Sequence, residues 1–218
     1  MLRFQGYKRG GEPPTAEVRA IFTDALACGG DLMAPRAAVR WLALSGCRED
    51  TLETAAGVLT IPGIAGHWGD IAWLGVAVCT IGDRIETEVS RLWDARELPL
   101  AAMLDSVGSA AVESLAEYVN DALCAEGLAA GVRVTNRVSP GYGAWDVRDQ
   151  HTVFGMCPGN AIGVQLSDAC VMTPAKSITL LVGAGAAARV DHYFSQCARC
   201  WMAACAYRRV PARRTVHR

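Results

Sequence analysis

Apolar residues recur at helical spacing through Val18, Ile21, Phe22, Ala25 and Leu26, behind Pro13-Pro14-Thr15 and ahead of Gly29-Gly30. This pattern predicts an amphipathic first helix that stops at the glycine pair. Short strands are predicted over 36–44, with Val39 and Trp41 on one face, and over 57–61. Glycines at 63, 66 and 69 then mark a turn-rich connection with room for a short helix. Leu74 to Cys79 is apolar on both faces, as in a strand buried from two sides, and Thr80 is placed to cap a helix over 81–93. The longest element is a helix from Pro99 to about Glu126, with the proline acceptable in its first turn.

An extended segment over 132–138 runs into Ser139-Pro140-Gly141-Tyr142-Gly143, a strong turn signal. A short helix is predicted over 146–156, and two more strands over 162–166 and 177–182, separated by a loop containing Pro174. Strands and helices mix without regular βαβ alternation. The fold class expected is therefore α+β, with a bent, mainly antiparallel sheet and surrounding helices.

Composition narrows the picture. At 218 residues the chain suits one domain with a tail, and we place the domain at 1–192 and a cysteine-rich tail at 193–218. With 51% hydrophobic and 20% charged residues it is ordinary globular material. The net charge of −1 gives no general pull toward nucleic acid. Ile71 to Gly82, the longest uncharged and mostly apolar stretch, falls short of the roughly 20 residues a membrane span needs. No signal-peptide core lies in the first residues, so a cytoplasmic protein without a membrane partner is expected. Nine cysteines, an odd number, argue against a full disulfide framework, and Cys28, Cys47, Cys79 and Cys124 read as structural thiols.

Four constellations could carry chemistry. In Arg137-Val138-Ser139-Pro140-Gly141-Tyr142, Pro140 presets one turn residue and Gly141 can take the positive φ that follows. Backbone groups are thereby left open to a ligand, Arg137 offers a planar fork for a carboxylate, and Tyr142 a ring with a polar end. In the long helix Asp105, Ser109 and Glu113 share one face with Gly108, a small-residue surface flanked by carboxylates that favours an ammonium or sulfonium. Taken alone, each of these also fits a plain turn or a solvated helix face. Ser167, Asp168 and Lys176 either line a cleft at strand ends or are turn residues. Cys197-x-x-Cys200-x4-Cys205 suits zinc, an iron–sulfur cluster, a redox pair or inert thiols, with Cys157, Cys170 or His192 as the possible fourth ligand. No nucleophile stands at a spacing that pairs it with a base, so no catalytic side chain is nominated.

The ordered set resembles a known family. Arg3-Phe4-Gln5-Gly6-Tyr7-Lys8, Thr80-Ile81-Gly82, the stretch Asp105 to Glu113, Arg137-x-x-Pro140-Gly141-Tyr142, Ile162 to Asp168 and Pro174-x-Lys176-Ser177 follow the order seen in stand-alone relatives of the activation domain of cobalamin-dependent methionine synthase. The resemblance implies S-adenosylmethionine (SAM) in a shallow groove, with Arg137 on the methionyl carboxylate. Ser139, Gly141 and Tyr142 would contact SAM through the turn, with Glu113 near its positive region and Asp105 on the same helix. It further implies reductive methylation: a one-electron donor reduces cob(II)alamin and SAM methylates the resulting cob(I)alamin. The cobalamin would be carried by a partner corrinoid protein or cobalamin-dependent methyltransferase. One departure is that the residues after Ser177 are Ile178-Thr179-Leu180-Leu181-Val182, where the full-length synthase carries aromatics near SAM. Two other functions compete: a SAM-dependent enzyme with a non-corrinoid substrate, and an iron–sulfur or zinc protein that keeps the fold as scaffold.

Overall fold

The computed structural model describes Gln5, Tyr7 and residues 12–190. Helix α1 (Ala16–Leu32) begins as the sequence predicts, with the Thr15 hydroxyl accepting from Val18 N at 3.3 Å. It does not stop at Gly29-Gly30. A Cβ on Gly29 would lie 2.8 Å from Val107 Cγ1 on a facing helix, so this glycine permits close packing and does not end the helix. The chain leaves the helix at Met33, in extended conformation ahead of Pro35.

Strand β1 (Arg36–Arg48) is longer than predicted and serves two partners. Its first part pairs with β5 (Trp73–Thr80), and its last with β2 (Thr51–Thr54), across a register shift between Leu44 and Gly46. Such a bulge bends a strand and increases its twist, which here curls the sheet. β2 was not predicted, because four residues with Leu52 as their one large apolar side chain give too short an alternation. β3 (Gly57–Thr60) continues the hairpin, followed by α2 (Ile64–Trp68) and β4 (Gly69–Asp70). With β9 (Ser177–Gly185) and β6 (Arg133–Val134) the sheet order is β3-β2-β1-β5-β9-β6, antiparallel throughout.

β5 and β9 are the central strands and are buried on both faces. Period-two alternation sends Ala77, Cys79, Leu180 and Val182 into a core beneath the helices. Val76, Val78 and Leu181 go into a second core with Leu52, Leu59, Trp68 and Met156. Helix α3 (Arg84–Asp94) starts later than the predicted 81. Gly82 takes φ +81, and the Thr80 hydroxyl accepts from Gly82 N at 3.1 Å, closing a turn ahead of the helix where a helix cap was expected. Helix α4 (Leu98–Ala129) carries Pro99 in its first turn and lies against the sheet through Leu104, Val107 and Leu123. The helix predicted over 146–156 is a 3-10 turn (Val147–Asp149) running into α5 (Gln150–Met156). The strand predicted over 162–166 shrinks to β7 (Gln165–Leu166), paired with β8 (Met172–Thr173). Gly159–Ile162 forms a 3-10 turn and Gly163 is left-handed at φ +79. β10 (Ala187–Ala188) pairs with β4. Among the described residues no helix is long and apolar enough to cross a membrane. The architecture is the expected α+β, with helices around a curled antiparallel half-barrel.

Candidate functional site

The site is built on the outer edge of β9. After the β6 pairing of Val134 with Ala184, Thr135 N donates to Gly183 O and Gly183 N to Thr135 Oγ1, each at 2.9 Å. Val138 then pairs with Leu181, exchanging backbone bonds of 2.9 and 2.8 Å. From 135 to 138 is three residue steps, whereas from 183 to 181 is two, so one extra residue is bulged out at Asn136-Arg137. The cores record the same slip: Val134 and Val138 would share a face in a regular strand, yet Val134 lies in the helix-side core and Val138 packs against the other.

The bulge aims Arg137 at α4. Its Nη2 donates to Glu113 Oε2 at 2.7 Å and to Glu117 Oε1 at 2.8 Å, with side-chain exposures of 13% for Arg137, 25% for Glu113 and 59% for Glu117. Burial pulls the guanidinium's pKa down, but the hydrogen bonds it donates to Glu117 and Glu113 outweigh it and leave the pKa raised. Arg137 and Glu113, named separately from the sequence, are thus brought together. Glu117 was missed, although it continues the i, i+4 spacing of 105, 109 and 113 by one step.

The bend forms as its residues dictate. Tyr142 N donates to Ser139 O at 3.3 Å, and Gly141 takes φ +84, where a Cβ would be strained by the backbone and not by its neighbours. Gly141 N donates to Trp145 O at 3.1 Å, and the buried Trp145 indole donates to Asp149 Oδ2 at 2.7 Å. Ser139 and Pro140 are buried, while Gly141 and Tyr142 are exposed. The back of the bend is therefore sealed and its tip open. The Ser139 hydroxyl donates to Thr179 O at 2.6 Å, so it ties the bend to β9.

The surface at Gly108 is not bare. Lys176 lays its stem across it, and its ammonium ends 2.7 Å from Asp105 Oδ1 and 2.9 Å from Ser109 Oγ. The cation that this acidic face was expected to attract is supplied by the chain itself. Asp105 therefore sits with Lys176, two turns of α4 away from Glu113. Ser167 and Asp168 belong to the turn between β7 and β8, where Cys170 N donates to Ser167 O at 2.9 Å.

Cys197, Cys200 and Cys205 lie outside the described residues, as does His192. Of the other suggested ligands, Cys157 is buried and its thiol is pushed up by burial, while Cys170 is half-buried. Among the described residues no three His, Cys, Asp or Glu side chains gather as a metal site. Cys79 is pushed up to about 12 by burial, and Cys28, Cys47 and Cys124 are raised by the same cause.

No family model and no curated protein matches this chain. In three dimensions it is similar to the solved structure described as the MetH reactivation domain bound to AdoHcy. The TM-score is 0.64 at 16% sequence identity, over 87% of this chain and 72% of that one. What the likeness establishes is the fold: a curled antiparallel sheet with surrounding helices, as in that reactivation domain.

Proposed function

We propose that the chain binds SAM along the Arg137 bend and supports reductive methylation of cob(II)alamin carried on a separate corrinoid protein or cobalamin-dependent methyltransferase. Three observations support this reading: the ordered motifs, the shared fold, and the AdoHcy held by the structural neighbour. A fourth observation carries it: the charge set at the bend. One guanidinium and two carboxylates sum to −1, next to an exposed backbone turn. SAM carries one carboxylate, one ammonium and one sulfonium, which sum to +1, so the sets are complementary.

In this reading Arg137 holds the methionyl carboxylate, and Glu113 faces the ammonium. Backbone groups at Ser139, Gly141 and Tyr142 line the ligand's flank, since the Ser139 hydroxyl is engaged with Thr179. SAM supplies the methyl group and an external one-electron donor the reducing equivalent. The chain's own contribution is positioning, so proximity supplies the rate and no general base is needed. The domain 1–192 is the SAM-binding unit, and the tail 193–218, with Cys197, Cys200 and Cys205, belongs to the same proposal as a point of electron entry through zinc-free iron–sulfur or thiol chemistry.

The test is product analysis. With a cob(II)alamin-loaded corrinoid protein and a low-potential reductant, the chain should form S-adenosylhomocysteine and methylcobalamin in equal amounts. Turnover of SAM with no corrinoid protein present would move the function to the non-corrinoid alternative.

A further inference from the structure

Lys176 is fixed more firmly than a surface lysine needs to be. Its side chain keeps 13% of its exposure, and a Cβ on Gly108 would stand 3.3 Å from its Cε and 3.4 Å from its Cγ. Its backbone is held too: Lys176 O accepts from Ile81 N at 3.2 Å, and the preceding Ala175 N donates to Glu86 Oε2 at 2.8 Å. An ammonium has three donors. Two are used, on Asp105 and Ser109, and the third has no partner among the described residues. Asp105 accepts on Oδ1, and its side chain remains 52% exposed, which leaves Oδ2 open. A donor and an acceptor thus stand side by side at a half-exposed rim.

Their place in the fold is specific. Along β9 the order is Arg137 near Leu181, then the Ser139 contact at Thr179, then Lys176 immediately before Ser177. Along α4 the partners of Arg137 are Glu113 and Glu117, and those of Lys176 are Asp105 and Ser109. Each pair is offset by eight residues (113 − 105 and 117 − 109), about 12 Å at the helical rise of 1.5 Å per residue. Between these two stations the bend is tied to β9 by the Ser139 bond to Thr179. β9 offers no aromatic platform, because Ser177–Gly185 contains no aromatic residue.

We infer that Lys176 and Asp105 form the nucleoside end of the SAM site and take the 2′,3′-diol of the ribose. Asp105 Oδ2 accepts from one hydroxyl and Lys176 Nζ donates to the other. This rests on the reading of Arg137 as the seat of the methionyl carboxylate. A carboxylate is the group that holds ribose hydroxyls in dinucleotide-binding folds, and charge-assisted bonds are the stronger kind. A neutral diol suits a pair whose charges cancel, whereas a phosphate would meet the Asp105 carboxylate. Ser109 positions the ammonium and does not touch the ligand.

Calorimetric titration of the full chain with SAM and with its 2′,3′-dideoxyribose analogue tests this. Wild type should prefer SAM at least tenfold, because the analogue lacks both hydroxyls and one charge-assisted hydrogen bond alone is worth about tenfold. Lys176→Met, which keeps the stem over Gly108, and Asp105→Asn, on a half-exposed helix face, should each reduce that preference while binding the analogue as wild type does. The inference is overturned if wild type does not discriminate, if both variants discriminate as strongly as wild type, or if both ligands weaken equally. If SAM binding depends on Arg137 but not on Lys176 or Asp105, this inference fails alone. If wild type binds neither ligand, the parent reading fails with it.

Discussion

Replacing the adjacent glycines of α1 one at a time separates helix propensity from packing. In a helix interior alanine is favoured over glycine by about 1 kcal/mol, and this gain is available at both positions. At Gly30 nothing lies within 4 Å of an added Cβ, so Gly30→Ala should stabilise the protein by about 0.5–1 kcal/mol. At Gly29 the new Cβ would stand 2.8 Å from Val107 Cγ1 and 3.4 Å from Leu104 Cδ1. Val107 and Leu104 are fully buried, and a β-branched side chain in a helix has one favoured rotamer, so Val107 cannot swing away. Overpacking of this kind costs about 1–3 kcal/mol, which outweighs the propensity gain. The two variants should therefore differ by about 2 kcal/mol, or roughly 4–8 °C in Tm for a chain of this size. Thermal unfolding followed by circular dichroism measures the gap. A Gly29→Ala protein that gains as much Tm as Gly30→Ala would refute the close approach of α1 to α4.

The bulge and its ion pairs predict a stability coupling. A double-mutant cycle of Arg137→Met and Glu113→Gln, read by urea unfolding, should give about 1–2 kcal/mol, and the same cycle with the more exposed Glu117 under about 0.5 kcal/mol. The reverse order would place the guanidinium elsewhere. Cys79, held near 12 by burial against an ordinary value of 9.0, ionises first in the unfolded chain. Stability is therefore unaffected below pH 9 and falls as pH rises from 9 toward 12, by at most about 1.4 kcal/mol per pH unit. Cys79→Ala should lack this alkaline component in unfolding measured against pH, and an unchanged alkaline slope would contradict the burial of the thiolate.

Much of this was legible in sequence, and what was not has a common cause. Leu74 to Cys79 could be placed as a two-face buried strand from its unbroken apolar run, and Gly141 after Pro140 announced a turn with positive φ. These are local signals. The bulge at Asn136-Arg137 was hidden, because it exists only in the register between two segments more than 40 residues apart in sequence, as with Val138 and Leu181 (181 − 138 = 43). The pairing of Lys176 with Asp105 is long-range in the same way, so the acidic helix face looked open to a ligand. Gly29-Gly30 misled for the opposite reason: a strong local stop signal was overridden by packing against α4, where only glycine fits at position 29. Ser139 was named rightly as part of the bend, but its burial and its bond to Thr179 could be known only once β9 was in place.

Arg137 and the bend after it are expected to hold the amino-acid end of SAM. Isothermal titration of the full chain with SAM, alongside Arg137→Ala confirmed as folded, measures this directly. Saturable one-to-one binding by the wild type, weakened roughly 10–100-fold by loss of the charge-assisted fork, is the predicted result. A folded wild type that gives no binding heat at any SAM concentration, or a variant that binds as tightly as wild type, would contradict it.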